Sequence, residues 1–400
     1  MALRSAEGAD KERFVRTMEM KIKDICTSVT DGSHNPPQGI DNSEYMMLSS
    51  KNVFDDKITF DEPRFLSEED FKKEHKRTKV SVGDVLLTIV GTVGRTAVVD
   101  EDMPLFALQR SVAVLHPKTD DCLPRFLMYA LRGKRTFIEN RAKGVAQKGI
   151  YLKDVSDIDV QVPDISTQEM IINQLDKVDT IVKFRKEELL ALDNLIKARF
   201  VEMFGEPRIN PNKYPTKMIK DTCIVITGNT PSRKVDEYYG DAIEWIKTDN
   251  IVSGLLYPTL ASESLSDSGK AVGRTVDAGA ILMACIAGSV ARIGRVCITD
   301  REVAFNQQIN AIVPKEYDVR FLHALLQISK DYLVEDINMA LKGIMSKSKL
   351  EEKEFIVPSM EEQVGFAEFV EQVNKSKVVI QAALDKSQLL FDSLMQKYFG

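Results

Sequence analysis

The property that narrows this chain most is that it repeats itself at long range. Ile22-Lys23-Asp24-Ile25-Cys26 returns 197 positions later as Ile219-Lys220-Asp221-Thr222-Cys223, and the stretch Ala107–Lys118 returns at the same offset as Ala304–Lys315. Arg125-Phe126-Leu127 returns as Arg320-Phe321-Leu322, and Phe204-Gly205 returns as Phe399-Gly400, both at an offset of 195. A period near 200 residues is too long for a solenoid, whose repeats run about 20–50 residues. It is long enough for each copy to bury a core of its own. The chain therefore reads as a tandem duplication of one unit, a globular domain followed by a helix. Two similar modules in one chain suit a ligand of approximate two-fold character, and duplex nucleic acid is the commonest such ligand.

Composition limits the alternatives. With 44% apolar and 28% charged residues the chain falls in the soluble globular class. No run of about 18 apolar residues is present, so no membrane span is expected. Met1–Thr17 is polar, has no apolar stretch of the secretory kind and has no counterpart before the second copy. It reads as a flexible N-terminal extension, with an ordinary N-terminal helix as the alternative. The five cysteines (Cys26, Cys122, Cys223, Cys285, Cys297) form no CxxC pair and the four histidines are scattered, so no metal site is expected. Such cysteines fit a reduced, cytoplasmic protein. A net charge of −6 argues against nucleic acid only if charge is evenly spread. It is not: Arg141, Lys143, Lys148 and Lys153 cluster in the first copy, and Lys342, Lys347 and Lys349 in the equivalent place of the second. Local basic patches on an acidic protein can hold phosphates, although either patch alone could be a solvated lysine cluster.

The pattern within each unit is α+β. Val85–Val90 and Ile281–Ile286 read as buried strands after glycine turns at Gly83 and Gly279, and Val93–Val99 and Ile293–Ile298 as their hairpin partners. One helix is predicted from Pro124 to about Glu139 and another from Val319 to about Glu335. Proline at Pro163 and Pro358 then marks the entry to a long helix. This divides the chain into 1–17, a domain over 18–163, a central long helix over 164–205, a second domain over 206–358 and a C-terminal long helix over 359–400. Both helices carry an a/d stripe over about five heptads. In the first it includes Leu175, Val182, Arg185, Leu189, Ile196, Arg199 and Met203; in the second, Val370, Lys377, Leu384 and Phe391. The polar interruptions of the two stripes fall at different positions. That favours pairing of the two helices with each other, in antiparallel fashion about a pseudo-two-fold axis, over self-association. About 36 residues would form a rod of roughly 54 Å. The alternative is two helices, each packed on its own domain.

Motifs for chemistry are thin. Asn35-Pro36-Pro37-Gln38 is similar to the Asn-Pro-Pro-aromatic motif of adenine-N6 methyltransferases, but Gln38 is not aromatic and no glycine-rich cofactor turn accompanies it. A turn is the better reading. No P-loop, Gly-x-Ser-x-Gly or paired-histidine motif is present, so no catalytic residue is expected. The polar loops carry more information. In the second copy these are Thr227–Lys234, with Thr230, Ser232, Arg233 and Lys234, and Trp245–Ile251, with Lys247, Thr248 and Asn250. In the first copy they are Thr30–Asn35, with Ser33 and His34, and Leu48–Val53, with Ser50, Lys51 and Asn52. Gln109 and Arg110, Gln307, Arg95 and Arg295 add amide and guanidinium groups of the kind that read base edges or hold phosphates. Each of these residues could instead cap a loop.

Taken in order and twice over, these features resemble the specificity subunit of type I restriction–modification enzymes. The residues that carry the likeness are Thr227–Ser232, Trp245–Ile251, Gly83–Leu87 with Gly91 and Gly94-Arg95, and Pro163 with Gln168, repeated as Pro358 with Gln363. The resemblance covers Met18–Gly400. It implies two target recognition domains of mixed α/β structure with small twisted sheets, separated by two long helices that pair as an antiparallel coiled coil. It further implies a subunit without catalysis that reads a split double-stranded DNA target, one half per domain, across a gap of about 5–8 base pairs. The implied partners are two methyltransferase subunits, which would carry S-adenosylmethionine, and restriction and translocation subunits, which would carry ATP and Mg. No cofactor is expected on this chain. The rival readings are a self-sufficient adenine methyltransferase, resting on Asn35-Pro36-Pro37, and a coiled-coil assembly adaptor that does not touch DNA.

Overall fold

A computed structural model describes residues 17–143, 149–287, 289, 292–335, 337 and 343–400. The expected extension over Met1–Thr17 lies, apart from Thr17, outside the described residues. Chain contacts define two compact units, Met1–Lys183 with Asp385–Gly400, and Phe184–Leu384. Each long helix is shared between them.

In the first unit a four-stranded antiparallel sheet has the order Cys26–Asp31, Val112–Pro117, Val85–Thr88, Thr96–Val98. Its central strands are buried on both faces, which is why they read as unbroken apolar runs. Val85, Leu87, Ala113 and Leu115 face one core, with Phe126, Leu127 and Tyr129 of the helix Pro124–Gly133. Leu86, Val112 and Val114 face a second, smaller core with Leu48, Val53 and Phe106. A small sheet, Arg64–Phe65, Met46–Leu48, Phe106–Leu108, joins that side, and its last two strands run parallel.

The second unit repeats the design in strand order, without the register shift that the first unit has between His116 and Pro117. Its main sheet runs Cys223–Thr227, Ile309–Pro314, Ile281–Ala284, Val296–Ile298. Its small sheet again holds a parallel pair, Trp245 opposite Ala304 and Ile246 opposite Phe305. All five cysteines are buried, and burial pushes the Cys285 thiol up to about 12.

The helix expected from Pro124 to Glu139 is broken. It ends at Gly133 and restarts as Arg135–Arg141, with Lys134 at φ −88°, ψ 9° between them. The second copy breaks at the equivalent Ser329, between Val319–Ile328 and Lys330–Val334. At the first break the residue must be glycine: a Cβ on Gly133 would lie 2.4 Å from Cβ of Phe399.

The long helices run Ile165–Phe204 and Met360–Phe399. Their starts are fixed in the same way. Gln168 and Gln363 are buried, and each donates through Nε2 to the carbonyl of the proline five residues earlier, at 2.8 and 2.9 Å. Each also accepts a backbone N–H from its domain, Leu123 at 2.8 Å and Asp318 at 2.9 Å. Asp164 accepts from Thr167 N as an N-cap, and Ser359 with Glu362 forms a capping box.

Pairing of the helices is seen within each unit. In the first, Ile171, Leu175 and Val178 share a core with Phe391 and Phe399, and Tyr398 Oη donates to Gln174 Oε1 at 2.8 Å. In the second, Asp193 meets Lys377 at 2.6 Å, Arg199 lies over the Phe369 ring and Phe200 packs on Phe366, so residue numbers rise on one helix as they fall on the other. This is the antiparallel arrangement. Val182, Val370 and Leu384 are buried, and Leu189 and Ile196 are half-buried.

The charged seam residues need correction. Arg185 and Arg199 do not bridge to the other helix by ion pair. They pair with Glu188 and Glu202 one turn along their own helix. Lys377 reaches the other helix by an ion pair, with Asp193, and Arg199 reaches it only by lying over the Phe369 ring. The core position near the end of the first helix belongs to Phe200, and Met203 is only half-buried. Phe200 is enclosed by Phe204, Phe321 and Phe366 at centroid distances of 5.0–5.5 Å. An aromatic cluster meeting the helix Val319–Ile328 pulls the buried face off the heptad stripe. Phe200→Ala should lower stability by about 3–5 kcal/mol. Leu190→Ala, at an exposed site of the same helix, should stay within about 0.5 kcal/mol. Denaturant unfolding followed by far-UV circular dichroism checks both.

Candidate nucleic-acid interface

Each unit gathers its polar loops at the end of the small sheet by the same backbone scheme. Gly32 N donates to Val112 O and Ser33 N to Leu108 O; Gly228 N donates to Ile309 O and Asn229 N to Phe305 O. A Cβ on either glycine would come within 2.1–2.2 Å of a carbonyl oxygen, of Leu108 or Asn306, so both loops need glycine there. The second loop follows the small-sheet strand. Gln109 N donates to Leu48 O in one unit and Asn306 N to Ile246 O in the other.

Three expected DNA-contacting residues are corrected to structural roles. Asn52 is 5% exposed and Asn250 9%. Asn52 accepts from Ser49 N at 3.1 Å and donates to Asp61 O; Asn250 accepts from Lys247 N at 3.0 Å and donates to Leu260 O. Both amides close a turn and are buried within it. Ser33, 5% exposed, is buried against Leu108–Arg110. The asparagines also fix the correspondence between copies. Lys247 corresponds to Ser49, and Lys51 to Asp249 of the same loop.

In the second unit the loop is clamped from below. Asn229 donates through Nδ2 to Val272 O at 2.9 Å and accepts from Arg274 N at 2.8 Å. Trp245 Nε1 donates to Asn229 O, and Tyr239 Oη donates to Pro231 O. Thr230, Ser232, Arg233 and Lys234 are thereby presented to solvent, with Thr230 Oγ1 donating to Gln307 Oε1. Arg233 lies 4.3 Å over Tyr239 and 5.2 Å over Trp245, and Lys247 5.1 Å over Trp245. Both cations pair with Glu263. The hydrogen bonds from Lys247 and then Arg233 hold the Glu263 carboxyl below the usual carboxylate range. Thr248 is half-buried in the turn that Asn250 closes.

In the first unit Asp31, nearly buried, accepts from Arg77 Nη2 at 2.9 Å and pairs with His34 at 2.7 Å. Arg64 Nη1 donates to Pro37 O at 2.6 Å, which pins the Asn35-Pro36-Pro37 bend. Ser50 N donates to Ser111 Oγ, while Lys51 and Arg110 are exposed and Gln109 is half-buried. Arg95 is turned onto the Phe54 ring, 4.8 Å away. Arg295 lines a cavity in the second unit instead of joining the Thr230–Lys234 loop. Lys143 is exposed, and Lys347 pairs with Glu351 at 3.5 Å. Lys148 and Lys342 lie outside the described residues.

Glu263, Tyr239, Arg64 and Arg77 were not legible as site residues. Glu263 sits opposite Trp245, as Arg64 sits opposite Met47, through strand pairing of segments 16 or more residues apart. The same place in the two copies thus carries opposite charge. Among the described residues no group of three or more His, Cys, Asp or Glu is placed to hold a metal ion, and no helix is long and apolar enough to cross a membrane.

The sequence model of the type I restriction modification DNA specificity domain matches residues 15–193 and again 211–386. The EcoBI specificity subunit of Escherichia coli is 27% identical over 186 residues, 45% of this chain and 38% of that protein. The HindI specificity subunit of Haemophilus influenzae is 22% identical over 365 residues, 70% of this chain and 78% of that one. The MjaIX specificity subunit of Methanocaldococcus jannaschii is 31% identical over 183 residues, 43% of this chain and 41% of that one. Two of these three alignments therefore span less than half of the relative. Among solved structures, the S subunit of a type I restriction–modification system from M. genitalium covers 98% of both chains at 12% identity with a TM-score of 0.57. A chain from a type I system studied for complex assembly and conformational transition covers 96% of this chain and 97% of that one at 16% identity, TM-score 0.52. At such identities the likeness is one of fold. With both of its copies matched over most of their length, the chain belongs to the DNA specificity family of type I restriction–modification systems.

Proposed function

We propose that this chain is the non-catalytic sequence-reading subunit of a cytoplasmic type I restriction–modification complex, and that each unit reads one half of a split duplex target. The observation that carries this reading is the paired loop cluster: one backbone scheme built twice, with different side chains on its rim. Arg233, Lys247 and Glu263 in one copy face the role that His34, Arg64 and Arg110 fill in the other. Identical frames with unlike rims fit two different half-sites, because base readout depends on side chains and not on the frame. The partners are two methyltransferase subunits and the restriction subunits, with S-adenosylmethionine on the former and ATP and Mg on the latter. The long helices supply surface for docking. Ile181, Leu389 and Leu390 of the first unit, and Phe184, Leu190, Val378 and Val379 of the second, are large apolar residues left exposed on them.

The test is duplex binding by the chain in complex with its methyltransferase, across a salt series. Lys247→Ala should weaken all sequences alike and reduce the slope of log K against log salt by about 1. Glu263→Gln should strengthen binding, since it releases two cations from an internal carboxylate. An unchanged slope in Lys247→Ala, together with unchanged affinity in Glu263→Gln, would remove this loop from the interface.

A further inference from the structure

In the second unit a cavity of about 310 Å³ opens beside the turn at Ser253-Gly254, against the helix Val319–Ile328 and the adjoining stretches of the two long helices. Among the described residues its lining carries Lys197, Arg295, Lys330 and Lys377 against one carboxylate, Asp193. That carboxylate is engaged by Lys377, which also donates to Gly254 O at 3.1 Å. The Arg295 guanidinium has no hydrogen-bond or ion-pair partner among the described residues. Burial and, after it, the neighbouring Arg295 lower the Lys330 pKa, with Asp331 opposing them.

The first unit shows what belongs in this place. Asp56 and Gly254 occupy the same turn after Asn52 and Asn250, and both have left-handed backbones, φ 55° and 87°. In the first unit Asp56 is bound by Arg125 at 3.1 Å and by Lys183 at 2.8 Å, and Asp55 by Arg135, the counterpart of Lys330. The second unit has Ser253 and Gly254 in place of the two carboxylates and Lys330 in place of Arg135, while Arg320, the counterpart of Arg125, pairs with Glu371 at 3.5 Å and Lys183 gives way to Val378. It also replaces Tyr129, whose hydroxyl reaches Asp176 at 2.6 Å, with Ala324, and Met128 with His323. The first substitution makes room.

His323 narrows the ligand. It is 6% exposed and its Nε2 has no partner. Burial lowers its pKa to about 4, and its remaining hydrogen bond is to the Val296 backbone. The ring is therefore neutral at pH 7, with its proton on the nitrogen facing Val296 and a lone pair on Nε2. A buried lone pair calls for an O–H or N–H donor. We propose that the cavity binds a hydroxyl-bearing oxyanion of the hydrogen phosphate class, its charged oxygens toward Arg295 and Lys330 and its O–H toward His323 Nε2. The anion would stand where the first unit places its own Asp55 and Asp56.

The experiment uses the full chain without DNA, at pH 7.5 and constant ionic strength, with thermal unfolding and calorimetric titration as readouts. Inorganic phosphate should raise the unfolding temperature at concentrations where sulfate and dimethyl phosphate, which lack the O–H, do not. Arg295→Gln should weaken phosphate binding at least tenfold. Ser253→Asp should raise the unfolding temperature in phosphate-free buffer and abolish the phosphate response. His323→Met, the residue of the first unit, should remove the preference for phosphate over sulfate. Equal responses of the wild type to phosphate, sulfate and dimethyl phosphate would overturn the proposal. So would a phosphate response that survives intact in both Arg295→Gln and Ser253→Asp.

Discussion

Transplanting Glu206–Pro358 into a related specificity subunit should change one half of its methylated motif and leave the other half as it was. The expected effect is complete for the exchanged half-site, because the segment carries the whole second loop cluster, from Gly228 through Glu263 to Gln307. It should also seat correctly. Among the contacts that join this domain to its long helix are those of the buried Gln363 amide with the Asp318 N–H and the Glu316 and Pro358 carbonyls, and the first copy makes an equivalent set through Gln168. A host that keeps the glutamine and the aromatic residues at the positions of Phe200 and Phe366 keeps the joint. Methylome sequencing of cells carrying the chimaera with its methyltransferase gives the result directly. Change in both halves, or in neither, would end the assignment of one half-site to each domain.

A second large effect is expected from lengthening both long helices. Seven residues inserted after Lys183 and after Leu384, where the two compact units divide, preserve the heptad phase. They also leave untouched the pairs that hold the helices within each unit, Gln174 with Tyr398 and Asp193 with Lys377. Each helix grows by roughly 10 Å, the length of about three base pairs. If the helices set the spacing between half-sites, methylation at the original gap should be lost and should return only at a longer one. Two readers that share one face of the duplex prefer centres near one helical turn apart, so a shift of three base pairs also misaligns them in rotation. Full activity at the original gap would show that the helices do not measure spacing. A four-residue insertion at the same points breaks the stripe and should destabilise the pairing, which distinguishes loss of spacing from loss of fold.

Much of the fold was legible because its signals are local. Glycine turns at Gly83 and Gly279, apolar runs at Val85–Thr88 and Ile281–Ala284, and prolines ahead of the long helices are each set by a few adjacent residues. The errors arose where a tertiary neighbour decided the outcome. Arg199 follows the heptad count, but Phe200 takes the core because Phe321 and Phe366 converge there from elements more than 100 residues away. The segment from Val319 to Glu335 holds no glycine or proline, yet it breaks at Ser329, and the one from Pro124 breaks at Lys134, just after Gly133.

By itself the sequence determined the duplication, the α+β class, the two long helices and the family. These follow from spacing and periodicity, which survive in a one-dimensional record. The tertiary structure decided which polar residues are available. Asn52, Asn250 and Ser33 have the same composition as base readers but lie inside the loops they hold, because a buried amide or backbone group must find its hydrogen-bond partner within the protein. Glu263 and Arg64 reached the interface through strand pairing that no spacing rule exposes. The cavity at His323 emerged only when the two copies could be compared in space. A missing carboxylate means little in a sequence, but it means a great deal among cations held in place by a fold.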